Sequence, residues 1–160
     1  MIKSKFKLRA LLIPFLIIAT IAASIVVLKE NLPTETQNIR WIDIYMSVMF
    51  LFTFVWLVFG ELRTKLIIVT IKGNQVEKRN FIGLKQYNFK DFDGFQTSIL
   101  TSKGEDFEYL YFIKNGEKII KISDAYHKNY SELKNVISSQ LKDLGKIKFS
   151  YLDELKEVIK

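Results

Sequence analysis

The sequence predicts an α+β membrane protein. A hairpin of two transmembrane helices comes first, then a small, mostly antiparallel β domain closed by a C-terminal amphipathic helix. Three observations carry this prediction. Residues 10–28 and 44–60 are runs of 19 and 17 positions without a charge. From residue 61 onward, short β-branched runs alternate with turns that contain Gly or Asn. One apolar stripe at helical spacing follows them. The 160 residues suffice for one small soluble domain beside the helices. With no cysteine in the chain, a disulfide scaffold, a thiolate metal site and a cysteine nucleophile are excluded.

The first apolar run, ALLIPFLIIATIAASIVVL, spans roughly 28 Å as a helix, close to the ~30 Å hydrocarbon core. Pro14 falls in its first turns, where a missing amide proton costs little. The basic start and Ala22-Ala23-Ser24 would also suit a secretory signal. The run is longer than a typical signal core, however, and it ends in Ile25-Val26-Val27-Leu28, which favours a retained helix. The second run, residues 44–60, lies so near the first that a buried helix of a soluble domain is the weaker reading. Trp41, Tyr45 and Trp56 are expected interface anchors. Ser47 and Thr53 could contact a partner helix, but no small-xxx-small motif stands out. Neither core segment holds an ionisable side chain, which argues against a proton or ion path at the midplane.

Charge asymmetry sets the expected topology. Lys3, Lys5, Lys7 and Arg9 precede the first helix without an acid, and Arg63 and Lys65 follow the second. The linker 29–43 sets Lys29 and Arg40 against Glu30, Glu35 and Asp43. The positive-inside rule places both termini and the soluble domain in the cytoplasm and the linker outside, in a multi-pass protein of the cell (inner) membrane. The expected organisation is a basic N-terminus (1–9), helix one (10–28), an external linker (29–43), helix two (44–60), the β domain (62–145) and a C-terminal extension (146–160) forming a short helix.

Within the soluble half, residues 64–71 (TKLIIVTI), 75–79, 84–88 and 95–100 read as strands. Phe89, Phe92 and Phe95 recur at a period near three, which suggests a turn or bulge rather than a helix. The clearest hairpin is 107–123, turning at Asn115-Gly116, two residues that tolerate positive φ. Tyr109, Tyr111 and Ile113 share one face of it, and Leu110 and Phe112 the other. Ile120 and Ile122 share a face of the return strand opposite Ile119 and Lys121. Asn129 is the expected cap of the helix, with Glu132 completing a capping box. Leu133, Val136, Ile137, Leu141 and Leu144 form the stripe, and Gly145 is the expected stop. The simplest packing is a strongly bent sheet or small barrel with the helix over one open end.

Val76-Glu77-Lys78-Arg79, Phe81-Ile82-Gly83, Tyr87-Asn88-Phe89-Lys90-Asp91-Phe92, the hairpin, and the helix opening at Tyr130-Ser131-Glu132-Leu133 occur in this order. Over residues 65–144 the pattern resembles the pleckstrin-homology (PH) superfamily. More narrowly, it resembles small bacterial membrane proteins that join two transmembrane helices to a PH-like domain. The resemblance implies a scaffold for binding lipid or protein, not an enzyme. The inositide-binding relatives carry a basic loop between the first two strands. Here that loop is Lys72-Gly73-Asn74-Gln75, so no dedicated phosphoinositide pocket is expected, and any attraction to lipid should be weak, non-specific and sensitive to salt.

No catalytic, cofactor or metal-binding residues are predicted. His127 is the sole histidine, where nitrogen-ligated zinc usually needs two or three, and a surface or capping role is expected for it. Asp91, Asp93, Glu105, Asp106 and Glu108 sit among lysines and read as a solvated face rather than a cation site. The soluble half has 18 basic and 14 acidic residues, dispersed, with Arg63 and Arg79 its only arginines. That pattern speaks against nucleic acid, and no small-molecule substrate is predicted. The expected partners are the lipid bilayer and a protein partner or second copy. Lys3, Lys5, Lys7, Arg9, Arg63 and Lys65 are the candidate membrane-surface contacts. Tyr87, Tyr109 and Tyr111 are candidate partner contacts, provided they are exposed. The alternative function is a structural or transport-associated subunit in which the helical hairpin is the working part.

Overall fold

The computed structural model describes residues 1–31, 41–102, 104–150 and 152. Two long helices leave an α+β domain. The first is entered through a 3-10 turn, Leu8–Leu11, and continues as α1 (Leu12–Asn31). The second, α2 (Trp41–Val55), runs on through a π-helical turn at Trp56–Leu62 and a last turn at Arg63–Lys65. Leu8–Val27 and Trp41–Lys65 are each long and apolar enough to cross a membrane, and protein buries only 11% and 0% of them. A core helix of a soluble domain would be mostly buried. The second helix outruns the uncharged run 44–60 at both ends. At its C-terminal end the i,i+4 ion pair of Glu61 with Lys65 supports the extra turn. Ser47 lines the groove between the two helices, but the hydroxyls of Ser47 and Thr53 are engaged within their own helix. Their hydroxyls donate to the carbonyls of Asp43 and Met49, each at 2.8 Å, four residues back in the same helix.

Among the described residues the domain holds two four-stranded sheets. The first is antiparallel in the order β1 (Ile2–Lys3), β2 (Ile68–Lys72), β3 (Gln75–Arg79), β4 (Leu84–Asn88). The second comprises β5 (Gly94–Ser102), β6 (Glu105–Lys114), β7 (Glu117–Ser123) and β8 (Asp143–Lys146), in the order β7-β6-β5-β8. β8 runs parallel to β5 and the other pairs are antiparallel. The described residues form no closed barrel.

Alternation places the core. Val69, Ile71 and Val76 of the first sheet meet Leu110, Phe112, Ile120 and Ile122 of the second, all buried. Phe89, Phe92 and Phe95 join them. The three rings converge because a 3-10 turn at Phe89–Asp91, closed by an Asn88/Asp91 capping box, redirects the chain between the sheets. Helix α3 (Tyr130–Gln140) adds Leu133 and Ile137. At the hairpin tip, Asn115 and Gly116 adopt φ of 53° and 74°, the paired positive values that a type I′ turn requires.

The N-terminus and the C-terminal end of α3 depart from expectation. Residues 1–9 are not a basic tail outside the domain. Ile2 and Lys3 pair with Ile71 and Thr70, Ser4 is buried, and Phe6 bridges to His127. Helix α3 ends at Gln140, well before Gly145. Leu141 is extended (φ −118°, ψ 147°), and its side chain is still buried in the core. The amide of Phe95 then takes the carbonyl of Lys142 at 2.9 Å, and that of Ile147 donates to Thr97 at 2.8 Å. The open edge of β5 thus claims residues that one more helical turn would have used, and Leu144 is left partly exposed. Of the expected linker 29–43 and C-terminal extension 146–160, residues 32–40, 151 and 153–160 lie outside the described residues.

Candidate membrane-facing junction

The six basic residues expected at a membrane surface fall into three groups. Lys3, Lys5 and Lys7 lie along an N-terminal segment whose backbone is tied to the domain. The Lys5 carbonyl accepts from the Lys128 amide at 2.7 Å, and the Lys7 amide donates to the Tyr126 carbonyl at 2.8 Å. Arg9 and Lys65 are committed to local partners. Arg9 pairs with Glu105 at 2.8 Å and lies 5.0 Å from the Phe107 ring centroid, while Lys65 pairs with Glu61 and lies over Tyr126. The Arg9 pair is exposed, so it is worth at most about 1 kcal/mol.

Arg63 opens the last turn of the second helix. It lines a cavity of about 160 Å³ at the end of the second helix, with Thr64, Lys78, Asn80, Lys118 and Lys121. An adjoining cavity of about 380 Å³ shares Arg63, Lys78 and Asn80 and adds Lys85. Among the described residues no carboxylate lines either one. Lys78 is held in the wall by donating to the Ile119 carbonyl at 2.7 Å. Asn80 accepts the amides of Ile82 and Gly83, each at 3.1 Å, through Oδ1. Its Nδ2 group is the end left to donate. The lysines come from β3, β4 and β7, strands distant in sequence. Among them only the Lys78-Arg79 pair stood out in the linear pattern, which is why the cluster was not anticipated.

Tyr109 and Tyr111 fail the condition of exposure. They are 4% and 2% exposed, in a second apolar cluster with Ile113 that Ile147 and Phe149 cover. The Lys118 ammonium lies 4.6 Å from the Tyr111 centroid, and Lys121 lies 5.9 Å from that of Tyr109. Tyr87 is half-buried against Phe92 at 5.4 Å, and burial pushes its hydroxyl pKa up.

His127 is neither at the surface nor a cap. It is 1% exposed. Its Nε2 meets the Ile67 carbonyl at 3.1 Å, and its Nδ1 lies 3.2 Å from the Ser123 amide. A neutral ring with the proton on Nε2 donates to Ile67 and accepts from the Ser123 amide, whereas the Ser123 carbonyl, 3.0 Å from Nδ1, is served only by a proton on Nδ1. Burial lowers its pKa against the smaller opposing effect of these backbone contacts. The Tyr130 hydroxyl is buried near Glu108 without a hydrogen bond of standard geometry, and burial followed by the Glu108 charge pushes its pKa up. Among the described residues no group of three or more His, Asp or Glu is placed to hold a metal ion. No family model, curated protein or solved structure matches the chain.

Proposed function

We propose that the chain is a membrane-anchored, PH-like interaction module whose domain is held against the inner leaflet by its own helices. One observation carries this reading. The strand before α1 and the strand after α2 are paired with each other, Ile2 with Ile71 and Lys3 with Thr70. Both helices therefore leave one folded body, and the N-terminal segment and the domain share one side of any bilayer the helices cross. The charge asymmetry makes that side cytoplasmic. Cleavage of α1 as a signal would strip β1, Ser4 and Phe6 from the domain, which supports a retained helix. Two sheets, with α3 packed on the core through Leu133 and Ile137, support the PH-like reading. The only histidine is consumed by backbone contacts, which supports a binding role over a catalytic one. Reporter fusions at Met1 and within the linker at Asn38 test the topology. A cytoplasmic signal at Met1 and an external one at Asn38 are expected, and two signals on the same side would overturn the reading.

The second reading, with the hairpin as the working part of a larger complex, draws on an apolar groove of about 300 Å³ between α1 and α2, lined by Ile25, Phe50 and Phe54 among others. Lipid tails fill such a groove as well as a protein helix does, so the anchor reading is preferred.

A further inference from the structure

We infer that the β3–β4 turn, with the first residue of β4, inserts into the bilayer beside the second helix and is a third membrane contact after the two spans. This rests on the membrane-anchored reading and adds to it the surface by which the domain lies on the lipid. Strand register puts the turn at the membrane-proximal end of its sheet. Strand β2 starts three residues after the span Trp41–Lys65, and its first residue, Ile68, pairs with Arg79. The β3–β4 turn follows Arg79 directly. The Lys72-Gly73-Asn74-Gln75 loop lies at the other end of the same ladder, roughly 13 Å along the strands. Two contacts tie the turn to the span. Phe81 meets Phe59 edge-on, with ring centroids 6.3 Å apart. Phe59 is the last residue but one of the uncharged run 44–60, so Phe81 reaches the level where hydrocarbon gives way to headgroups. Ile82, Gly83 and Leu84 share the wall of the cavity of about 380 Å³ with Arg63 of the helix end.

The chemistry of the turn suits lipid. Phe81, Ile82 and Leu84 are 48%, 61% and 55% exposed, three large apolar side chains within four residues. Nothing lies within 4 Å of a Cβ built on Gly83, so the tip projects clear of the domain. The turn also satisfies its own backbone, which hydrocarbon demands because it offers no hydrogen bonds. The Asn80 amide donates to the Gly83 carbonyl at 3.0 Å, and Asn80 Oδ1 takes the amides of Ile82 and Gly83. Arg79 and Lys85 flank the apolar residues, and both are exposed. No carboxylate occurs between Glu77 and Asp91. Their long stems reach the headgroup phosphates while the apolar tip sinks below them. The same two cations favour an anionic leaflet over a second copy of the chain. A two-fold contact through this turn would bring Arg79 and Lys85 of one copy against Arg79 and Lys85 of the other.

The chain has no cysteine, so a single introduced one can carry a fluorophore. The test reconstitutes the full chain in vesicles of phosphatidylcholine and phosphatidylglycerol, with nitrobenzoxadiazole attached to Ile82→Cys and, separately, to Leu84→Cys. Both side chains are exposed, and melting curves confirm that each variant folds. Lipid carrying a nitroxide near the top of its acyl chain should quench both labels several-fold more than a label on Asn74→Cys in the far loop. Aqueous iodide should show the reverse order. A label on Val48→Cys, 58% exposed within α2, reports on the span itself. Lipid quenching at Val48 with none at Ile82 and Leu84 would overturn the present proposal and leave the anchored reading standing. No lipid quenching at Val48 would overturn both. Labels at Ile82 and Leu84 shielded from iodide and from lipid nitroxide alike would mean that protein covers the turn, a second copy included, and would also overturn the proposal.

Discussion

The backbone amide of Lys5 donates to Asn129 Oδ1 at 2.8 Å, and Asn129 Nδ2 donates to the carbonyl of Lys3 at 3.0 Å. The residue placed to cap α3 spends its side chain on the N-terminal segment instead, and no side-chain cap is made. Glu132 still touches it, accepting from Nδ2 at 3.4 Å. Asn129→Ala should therefore destabilise the domain by about 1–3 kcal/mol, because two backbone groups lose their partner. Hydrogen exchange should accelerate at the Lys5 amide more than within α3. Equal acceleration in both would mean that Asn129 acts as an ordinary helix cap.

A fragment beginning near residue 62, which the linear pattern suggests as a self-sufficient domain, should be less stable than the full chain's domain. It lacks β1, and it lacks Ser4, whose amide donates to Val69 at 2.8 Å and whose hydroxyl accepts from the Val69 amide at 2.9 Å. It also lacks Phe6, which packs 5.4 Å from His127. A synthetic peptide of residues 1–7 added in excess should raise the fragment's melting temperature, by mass action on the folded form. No shift at saturating peptide would show that the segment adds nothing to the fold.

Stability should fall on mild acidification because of His127. Burial holds its folded pKa below the ordinary 6.5, so the unfolded chain binds the proton more readily. The His127 contribution is therefore complete above about pH 6.5 and is lost progressively as pH drops below it. Asp124 works in the opposite sense at lower pH. Burial raises its carboxyl above 3.8, so protonation there favours the folded state. Denaturation midpoints of the full chain against pH should show the fall, and His127→Gln should flatten it. An unchanged slope in the variant would assign the pH dependence to other groups.

Local chemistry was legible in the sequence wherever neighbours decide the structure. The Asn115-Gly116 turn, the Phe89-Phe92-Phe95 turn and the start of α3 depend on residues within a few positions of one another. Features set by distant pairing were not legible. Nothing near Ile2 marks it as a strand, because its partner Ile71 lies beyond both helices. Asp143–Lys146 continues a helical stripe until the free edge of β5 is present to compete for it. The Tyr109-Tyr111 face reads as the solvent side of a hairpin until Ile147 and Phe149 cover it. The basic cavity was hidden for the same reason, since Arg63, Lys78 and Lys118 come together only when the second helix, β3 and β7 meet.

Truncation along α3 should separate core from surface. Leu133 and Leu141 are buried in the main core, so alanine at either should cost about 2–5 kcal/mol. Leu144 lies past the end of the helix and is partly exposed, and its truncation should cost less than about 1 kcal/mol. Chemical denaturation of the three variants gives the order directly. A Leu144→Ala loss matching that of Leu133→Ala would restore the longer helix.

Gly94 is where the β8 excursion leaves a mark testable by one methyl group. A Cβ there would lie 2.7 Å from Leu144 Cγ and would also run into the Lys142 carbonyl oxygen. The side chain could rotate away, but the carbonyl could not, because it is bonded to the Phe95 amide at 2.9 Å. Gly94→Ala must then push β8 off β5, at a cost of about 1–3 kcal/mol for an overpacked contact. The displacement should reach the second cluster, since Ile147 and Phe149, which cover Tyr109 and Tyr111, follow β8 directly. Amide exchange should therefore quicken at Phe95 and Ile147 while the β6–β7 ladder keeps its protection. Gly83 supplies the control, because nothing lies within 4 Å of a Cβ built on it. Gly83→Ala should change stability by no more than about 0.5 kcal/mol. If the two alanines proved equally benign, the packing of β8 against β5 would not be a feature of the folded protein.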